Sequence, residues 1–311
     1  MKFACLMFAY KDPEQLYRTI QALGDMDIYV HLDLKSDITL FKKSITQSNV
    51  KWVDNRAFVC WGGYSQVEAL KSLMDSLIQS GKTYDRVIVI TALDYPVLQS
   101  HSLEAYLSSS ATKNYCTTMN LTKCNNAKEL LKIQKYWFYD IKIRNYNLMR
   151  IVRKIIFCTM HFLYCIRVLK KKTTITVDNK EWDIYFGSES CCLTFDCFQY
   201  VYSTFCEKKE IEKYFKTAFA PIELITATII SNSPYKSTIE IIDSKDYKGL
   251  YSVSPLYYME YDEMGGTGMK VLNEDDYEKI INSGKPFCRK VSSSISKKLE
   301  DIIDGLNELK S

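Results

Sequence analysis

No stretch of this 311-residue chain is apolar for the roughly 20 residues a membrane-spanning helix requires. The first ten residues, Met1 to Tyr10, are apolar for only about eight positions before Lys11-Asp12-Pro13, and they show neither a basic leader nor a small-residue cleavage site. They read as a buried first strand. Histidine is scarce, with only His31, His101 and His161 present, so no structural zinc is expected despite 11 cysteines. The cysteines follow no regular spacing, and the adjacent Cys191 and Cys192 cannot form a tetrahedral site alone. Cysteine as a small apolar residue in a reducing compartment is the expectation, which favours a cytoplasmic location. A charge surplus is missing too. The 41 Lys and Arg against 37 Asp and Glu leave +4, too little to imply a nucleic-acid partner, although basic residues do gather at 150–172. No repeat or low-complexity linker is visible. What remains is a chain 47% apolar and 25% charged, able to bury a large core as one elaborated α/β domain or two small ones.

Along the chain, Phe3 to Ala9 reads as a strand, followed by Asp12 as a helix cap with Pro13 in the first turn and Leu16, Ile20 and Leu23 at helical spacing. Asp27 to Leu32 and Val50 to Val53 are further strand-like runs. Val67, Leu70, Leu73, Met74 and Leu77 form a helical stripe, and Arg86 to Ala92 is a continuous β-branched run of the kind that fills a central parallel strand. This alternation predicts a doubly wound, mostly parallel sheet flanked by helices, with ligands beyond the carboxyl ends of the strands. Tyr10, Asp33, Trp61 and Asp94 fall there. Ser292 to Ser311 reads as a closing amphipathic helix. The segment from Met149 to Lys172 has an apolar middle and basic ends and admits two readings: an interfacial helix on an anionic membrane, or a core or partner-contacting helix with solvated ends.

Three blocks carry candidate chemistry. In His31-Leu32-Asp33-Leu34-Lys35-Ser36-Asp37, Asp33 can hydrogen-bond a ribose or base, or simply close a turn. In Trp61-Gly62-Gly63-Tyr64-Ser65, Trp61 offers a flat face and the glycines allow a ligand to approach the backbone; a helix-capping turn is the plainer alternative. In Leu93-Asp94-Tyr95-Pro96, an acid ends a strand that Pro96 cannot continue, where a nucleotide-sugar would be held; taken alone, Asp94 could equally be structural.

The order and spacing of AYKDPEQL, HLDLKSD, WGGYSQVEA, LDYP, GSESCCLT (187–194), APIE (220–223) and PFCRK (286–290) resemble the core-2/I-branching N-acetylglucosaminyltransferases and the xylosyltransferases of glycosyltransferase family 14, including bacterial members. The resemblance covers residues 3 to about 291. It implies a GT-A-like, Rossmann-related single domain, with a nucleotide-binding half at 1–110, an acceptor and catalytic half at 111–291 and a C-terminal helix at 292–311. It further implies inverting transfer from a UDP-sugar, first UDP-GlcNAc and then UDP-xylose or another UDP-hexose, to a glycan hydroxyl without a divalent metal or other cofactor. The literal Asp25-Met26-Asp27 precedes a strand, at the wrong end of such a sheet for a diphosphate-bound metal.

On this resemblance Glu223 is the catalytic base, Asp33, Trp61, Asp94, Lys270 and Lys290 hold the nucleotide-sugar, and Trp182 and Glu189 face the acceptor. The chain departs from the family pattern at Ala220 and Ile222, whose apolar character would raise the Glu223 carboxyl. The partners implied are a UDP-sugar and a glycan or lipid-linked glycan, with peripheral membrane contact through 150–172. Two rivals stand beside this reading: a metal-dependent transferase using acids such as Asp94, and a catalytically silent sugar-nucleotide or membrane-binding module.

Overall fold

Residues 1–143, 145–261 and 268–308 are described by a computed structural model. The strands are β1 (Phe3–Ala9), β2 (Asp27–Leu32), β3 (Val50–Trp52), β4 (Arg86–Thr91), β5 (Asp94–Pro96), β6 (Thr117–Asn120), β7 (Thr174–Val177), β8 (Lys180–Asp183), β9 (Tyr185–Gly187), β10 (Cys191–Thr194), β11 (Glu240–Ile242), β12 (Tyr257–Met259) and β13 (Phe287–Arg289). The central sheet has the order β10-β4-β1-β2-β3, in which β1 to β4 are parallel and β10 runs antiparallel to β4.

The continuous apolar character of β1 and β4 has a direct cause: each is paired on both edges and covered on both faces. On one face Phe3, Cys5 and Met7 pack with Ile28, Ile88 and Ile90 under Leu16, Ile20 and Leu23 of helix Pro13–Leu23. On the other, Ala4 and Leu6 pack with Val87 and Val89 under Val67, Leu70, Leu73 and Leu77 of helix Ser65–Gln79. The period-two alternation of β1 thus feeds both layers of an α/β fold. Asp12 caps the first helix by accepting from the Gln15 amide at 3.1 Å, with Pro13 in the first turn.

Strand order reverses at β1, which has β2 on one side and β4 on the other, so a crevice opens beyond their carboxyl ends. Asp27 lies at the opposite end of the sheet, where the Lys82 ammonium at 2.9 Å and the Tyr84 hydroxyl at 2.9 Å hold its carboxylate.

Two small sheets, β12-β13-β5 and β11-β6-β9, build on the central one. They correct one local expectation. Asp94 does not end the long strand; β4 stops at Thr91, and Asp94–Pro96 forms a separate strand antiparallel to β13. The closing helix begins at Lys297 rather than at Ser292, because Ser292–Ser296 is a turn in which the Ser296 hydroxyl accepts from the Ser292 amide at 3.0 Å and donates to Leu272 O at 2.7 Å. That helix packs Leu299 and Ile303 beside Tyr95 and Val97, and Arg18 pairs with the buried Glu300 at 2.9 Å. Positions 309–311 of the expected helix fall outside the described residues. Among the described residues no helix is long and apolar enough to cross a membrane.

Candidate active site

A cavity of about 480 Å³ lies at the crevice. The ends of β1, β2 and β4 bring Tyr10, Asp33 and Thr91 to its floor, while chain-distant segments supply Trp61, Gln66, Glu189, Glu223, Arg289 and Lys290. Six residues named from the sequence therefore meet in one place: Tyr10, Asp33, Trp61, Glu189, Glu223 and Lys290.

Asp33 is nearly buried and sits in a fixed turn. Its carboxylate accepts the Lys35 amide at 3.0 Å and pairs with the Lys35 ammonium at 3.2 Å. The Arg56 guanidinium donates to the carbonyls of Leu32, Asp33 and Ser36 and so clasps the loop after β2. Beside it, His31 Nε2 accepts the Ala57 amide at 2.8 Å, and burial pushes the imidazole down to about 4. The ring is therefore neutral, with its proton on Nδ1.

Trp61 is 74% exposed, with only its edge supported by Phe219 at a centroid distance of 5.7 Å. An indole presented so openly at a cavity mouth is a flat surface on which a ring can stack. Of the two readings of the glycines after it, the geometry matches the helix-capping turn. Gly62 has a φ of 75°, which needs glycine, and its carbonyl accepts the Ala220 amide at 3.0 Å. Gly63 makes room for Asp140, whose carboxylate accepts the Tyr64 amide at 2.6 Å, the Ser65 amide at 3.2 Å and the Ser65 hydroxyl at 2.5 Å, capping helix Ser65–Gln79. A Cβ at Gly63 would lie 2.8 Å from the Asp140 Cγ. Gly63→Ala is therefore expected to displace that cap at a cost of about 1–2 kcal/mol, read as a lower urea midpoint at unchanged slope.

Glu223 ends a 3₁₀ turn, Pro221–Glu223, held in place by Gly62 through the left-handed Ala220 (φ 45°). Its side chain is 22% exposed and opens to the cavity. Burial pushes the carboxyl up to about 7; the Lys132 ammonium, 3.9 Å away, and the Arg289 guanidinium oppose the rise, while Glu189 and Glu129 add to it. Lys132 is itself tied to Glu129 at 2.9 Å and lies over the Phe186 ring at 3.7 Å. The apolar Ala220 and Ile222 thus flank an acid that titrates near neutrality, the range a general base needs.

Arg289 was not anticipated. It spans two acids, with Nη1 2.7 Å from Glu189 and Nε 3.3 Å from Asp94, and its charge is strongly held by both. Asp94, expected to touch the donor, is fully buried and does not line the cavity: its carboxylate accepts from the Thr91 amide at 2.7 Å and the Tyr257 hydroxyl at 3.2 Å. Its place is beneath the site, orienting Arg289. Lys270 is also away from the cavity lining, engaged by Asp276 at 2.5 Å and Glu260 at 3.5 Å. Trp182 faces Ile175 across the β7-β8 hairpin and packs on the core rather than in the cavity. Among the described residues no three His, Cys, Asp or Glu side chains gather as a metal-holding group.

Comparison with known proteins adds to this geometry. A xylosyltransferase of Ciona intestinalis is 30% identical over 106 residues, which is 32% of this chain and 12% of that protein. Xylosyltransferase 2 of Rattus norvegicus is 32% identical over 108 residues, with the same shares of 32% and 12%. The match thus spans about an eighth of these relatives' length. A solved Bacillus anthracis structure assigned as a glucose-1-phosphate thymidylyltransferase aligns with 78% of this chain and 86% of its own at 11% identity and a TM-score of 0.33, too distant to carry an argument. The model of the Core-2/I-branching enzymes matches residues 3–233, well over half the chain, and the chain belongs to that family of glycosyltransferases.

Proposed function

We propose that the chain transfers a sugar from a UDP-sugar to a glycan hydroxyl by a single displacement, with inversion and without a divalent metal. The observation that carries this reading is Glu223: an acid near neutrality, facing a cavity at the switch point of a parallel sheet, with an open indole at its mouth. In this reading Trp61 stacks on the uracil and Asp33 with Lys35 meets the nucleoside. Lys290 stabilises the diphosphate as charge develops on the departing UDP. Glu223 takes the proton from the acceptor hydroxyl as its oxygen attacks the anomeric carbon.

One feature supports a single displacement, and two others support a mechanism without a metal. A double displacement needs a second free carboxylate as nucleophile, and the other two acids lining the cavity are already paired, Asp33 with Lys35 and Glu189 with Arg289. Cationic side chains in the cavity, Lys290 and Arg289, supply the positive charge that a metal gives elsewhere. Asp94, the acid a metal-dependent mechanism would use, is buried against Arg289. The donor we propose to test first is UDP-GlcNAc, with UDP-xylose beside it because matched relatives are named xylosyltransferases.

The test is UDP release from a panel of UDP-sugars in EDTA. Turnover of one donor that survives EDTA is the expected result; turnover restored only by Mg²⁺ or Mn²⁺ would overturn the metal-independent mechanism. Lys290→Ala is expected to lower kcat/KM by roughly 10²-fold, the scale of removing one preorganised charge from a transition state, while UDP-sugar specificity is unchanged.

A further inference from the structure

The helix Tyr146–Cys165 carries two separate rows of apolar side chains. Its inner face carries Ile156, Phe157 and Met160 onto the stretch Tyr136–Tyr139, with Trp137 and Phe157 at a centroid distance of 5.7 Å. Its outer face is a second stripe, Leu148, Ile151, Ile155 and Phe162, continued by Ile166, at the spacing that stacks residues on one side of a helix. These five are 49%, 56%, 59%, 61% and 49% exposed, and Val168 and Leu169 extend the patch. Scattered apolar residues on a surface need no explanation, but an aligned row does.

Charge indicates what covers it. Between positions 141 and 177 there is no Asp or Glu, against nine Lys and Arg, leaving 32 basic and 37 acidic residues in the remainder of the chain. The positive surplus of the chain thus falls, in sequence, within the segment that carries the apolar stripe. Lys142, Lys154, Arg167, Lys170 and Lys172 are exposed, whereas Lys171 is buried and donates to Tyr214 O. A protein groove would need acids placed opposite particular lysines; a bilayer with anionic headgroups needs only an apolar row with a basic border.

We propose that this outer face docks on an anionic lipid surface, the stripe entering the acyl boundary while the exposed lysines meet the headgroups. The inner face of the same helix is joined to the cavity by a series of rings, Phe157 to Trp137 at 5.7 Å, Trp137 to Phe219 at 5.0 Å and Phe219 to Trp61 at 5.7 Å. Arg153 adds a second link, donating to Cys60 Sγ at 3.3 Å one residue before Trp61. Docking would hold the protein, and with it the cavity, at a membrane, which suits an acceptor glycan attached to lipid; that last step rests on the transferase reading, whereas the docking does not.

Vesicle flotation of the full chain tests it, with phosphatidylcholine vesicles against vesicles that also contain phosphatidylglycerol. Binding is expected only with phosphatidylglycerol and is expected to weaken as salt shortens the screening length. The double variant Ile155→Ser/Phe162→Ser removes exposed side chains, and Lys154→Gln/Lys170→Gln removes charge with no change to the stripe. Each is expected to weaken vesicle binding on the order of tenfold or more, with an unchanged thermal midpoint and unchanged turnover of a soluble acceptor. Three results would overturn the proposal: no flotation, equal flotation with phosphatidylcholine alone, or a dimer in solution that the serine variants dissociate, which would make a second copy the occupant. Loss of turnover with flotation intact would instead count against the transferase reading.

Discussion

Glu223→Gln is expected to abolish turnover and to stabilise the fold at the same time. Removing a general base lowers the rate by about 10²- to 10⁴-fold, and the amide keeps the shape of the side chain. The stability gain follows from linkage. The carboxyl titrates near 4.5 in an unfolded chain and is pushed up to about 7 in the fold, so the native state binds a proton that the unfolded state has released. Below pH 4.5 both states are protonated and the residue is neutral to stability. As pH rises from 4.5 to 7 the native state is progressively penalised, and above 7 the full penalty remains. The glutamine variant escapes it, so urea midpoints of the two proteins should agree at low pH and diverge above neutrality in favour of the variant, by about 1–3 kcal/mol. The same titration governs rate: kcat/KM of the wild type should rise from acid pH to a plateau with a midpoint near 7 as the base ionises. Lys132 and Arg289 favour that ionisation, and Glu189 and Glu129 oppose it. A variant that loses activity and stability together would show that Glu223 is a structural residue.

Arg289→Ala is expected to destabilise the protein by about 3–5 kcal/mol, the largest effect of any single change in the site. The guanidinium pairs with Asp94, which has no solvent exposure, and it also holds Glu189. Removing it leaves buried negative charge uncompensated, and the Asp94 carboxyl, already raised by burial, loses its main opposing interaction. Lysine cannot replace it, since one ammonium cannot reach both acids as the Nε and Nη1 edges do. Pairing Arg289→Ala with Asp94→Asn should recover part of the loss, seen as a positive coupling in a double-mutant cycle on urea midpoints. If the two losses simply add, the chain from Glu189 through Arg289 to Asp94 is not a coupled unit.

The part of this architecture that was legible in the sequence is the part written in long runs. β1, β2 and β4 show their burial residue by residue, and the alternation of strand and helix was enough to place Tyr10, Asp33 and Trp61 at the carboxyl ends. Glu189, Glu223 and Lys290 came from resemblance alone, since each sits on a turn or a three-residue strand too short to carry a period. Arg289 shows the limit well. Its neighbour Lys290 was named, but whether the arginine turns inward depends on β13 pairing with β5 almost two hundred residues earlier, which no local pattern encodes. The WGGYS block has the same limit: it admits a capping turn, but the group that fills the space at Gly63 is Asp140, 75 positions from Ser65 and invisible in the block itself. Asp94 is marked in the sequence as a candidate donor-binding acid, whereas its burial against Arg289, away from the cavity lining, is legible only in the fold.

The central claim is that one carboxylate, Glu223, drives one displacement. Proton NMR of the first sugar transferred from an α-linked UDP-sugar, to water or to a glycan acceptor, tests it most directly. The account predicts that the β configuration appears first, at a rate that collapses in Glu223→Gln. An α-configured product would mean a second displacement and a nucleophile that this cavity, with Asp33 and Glu189 already held by cations, does not offer.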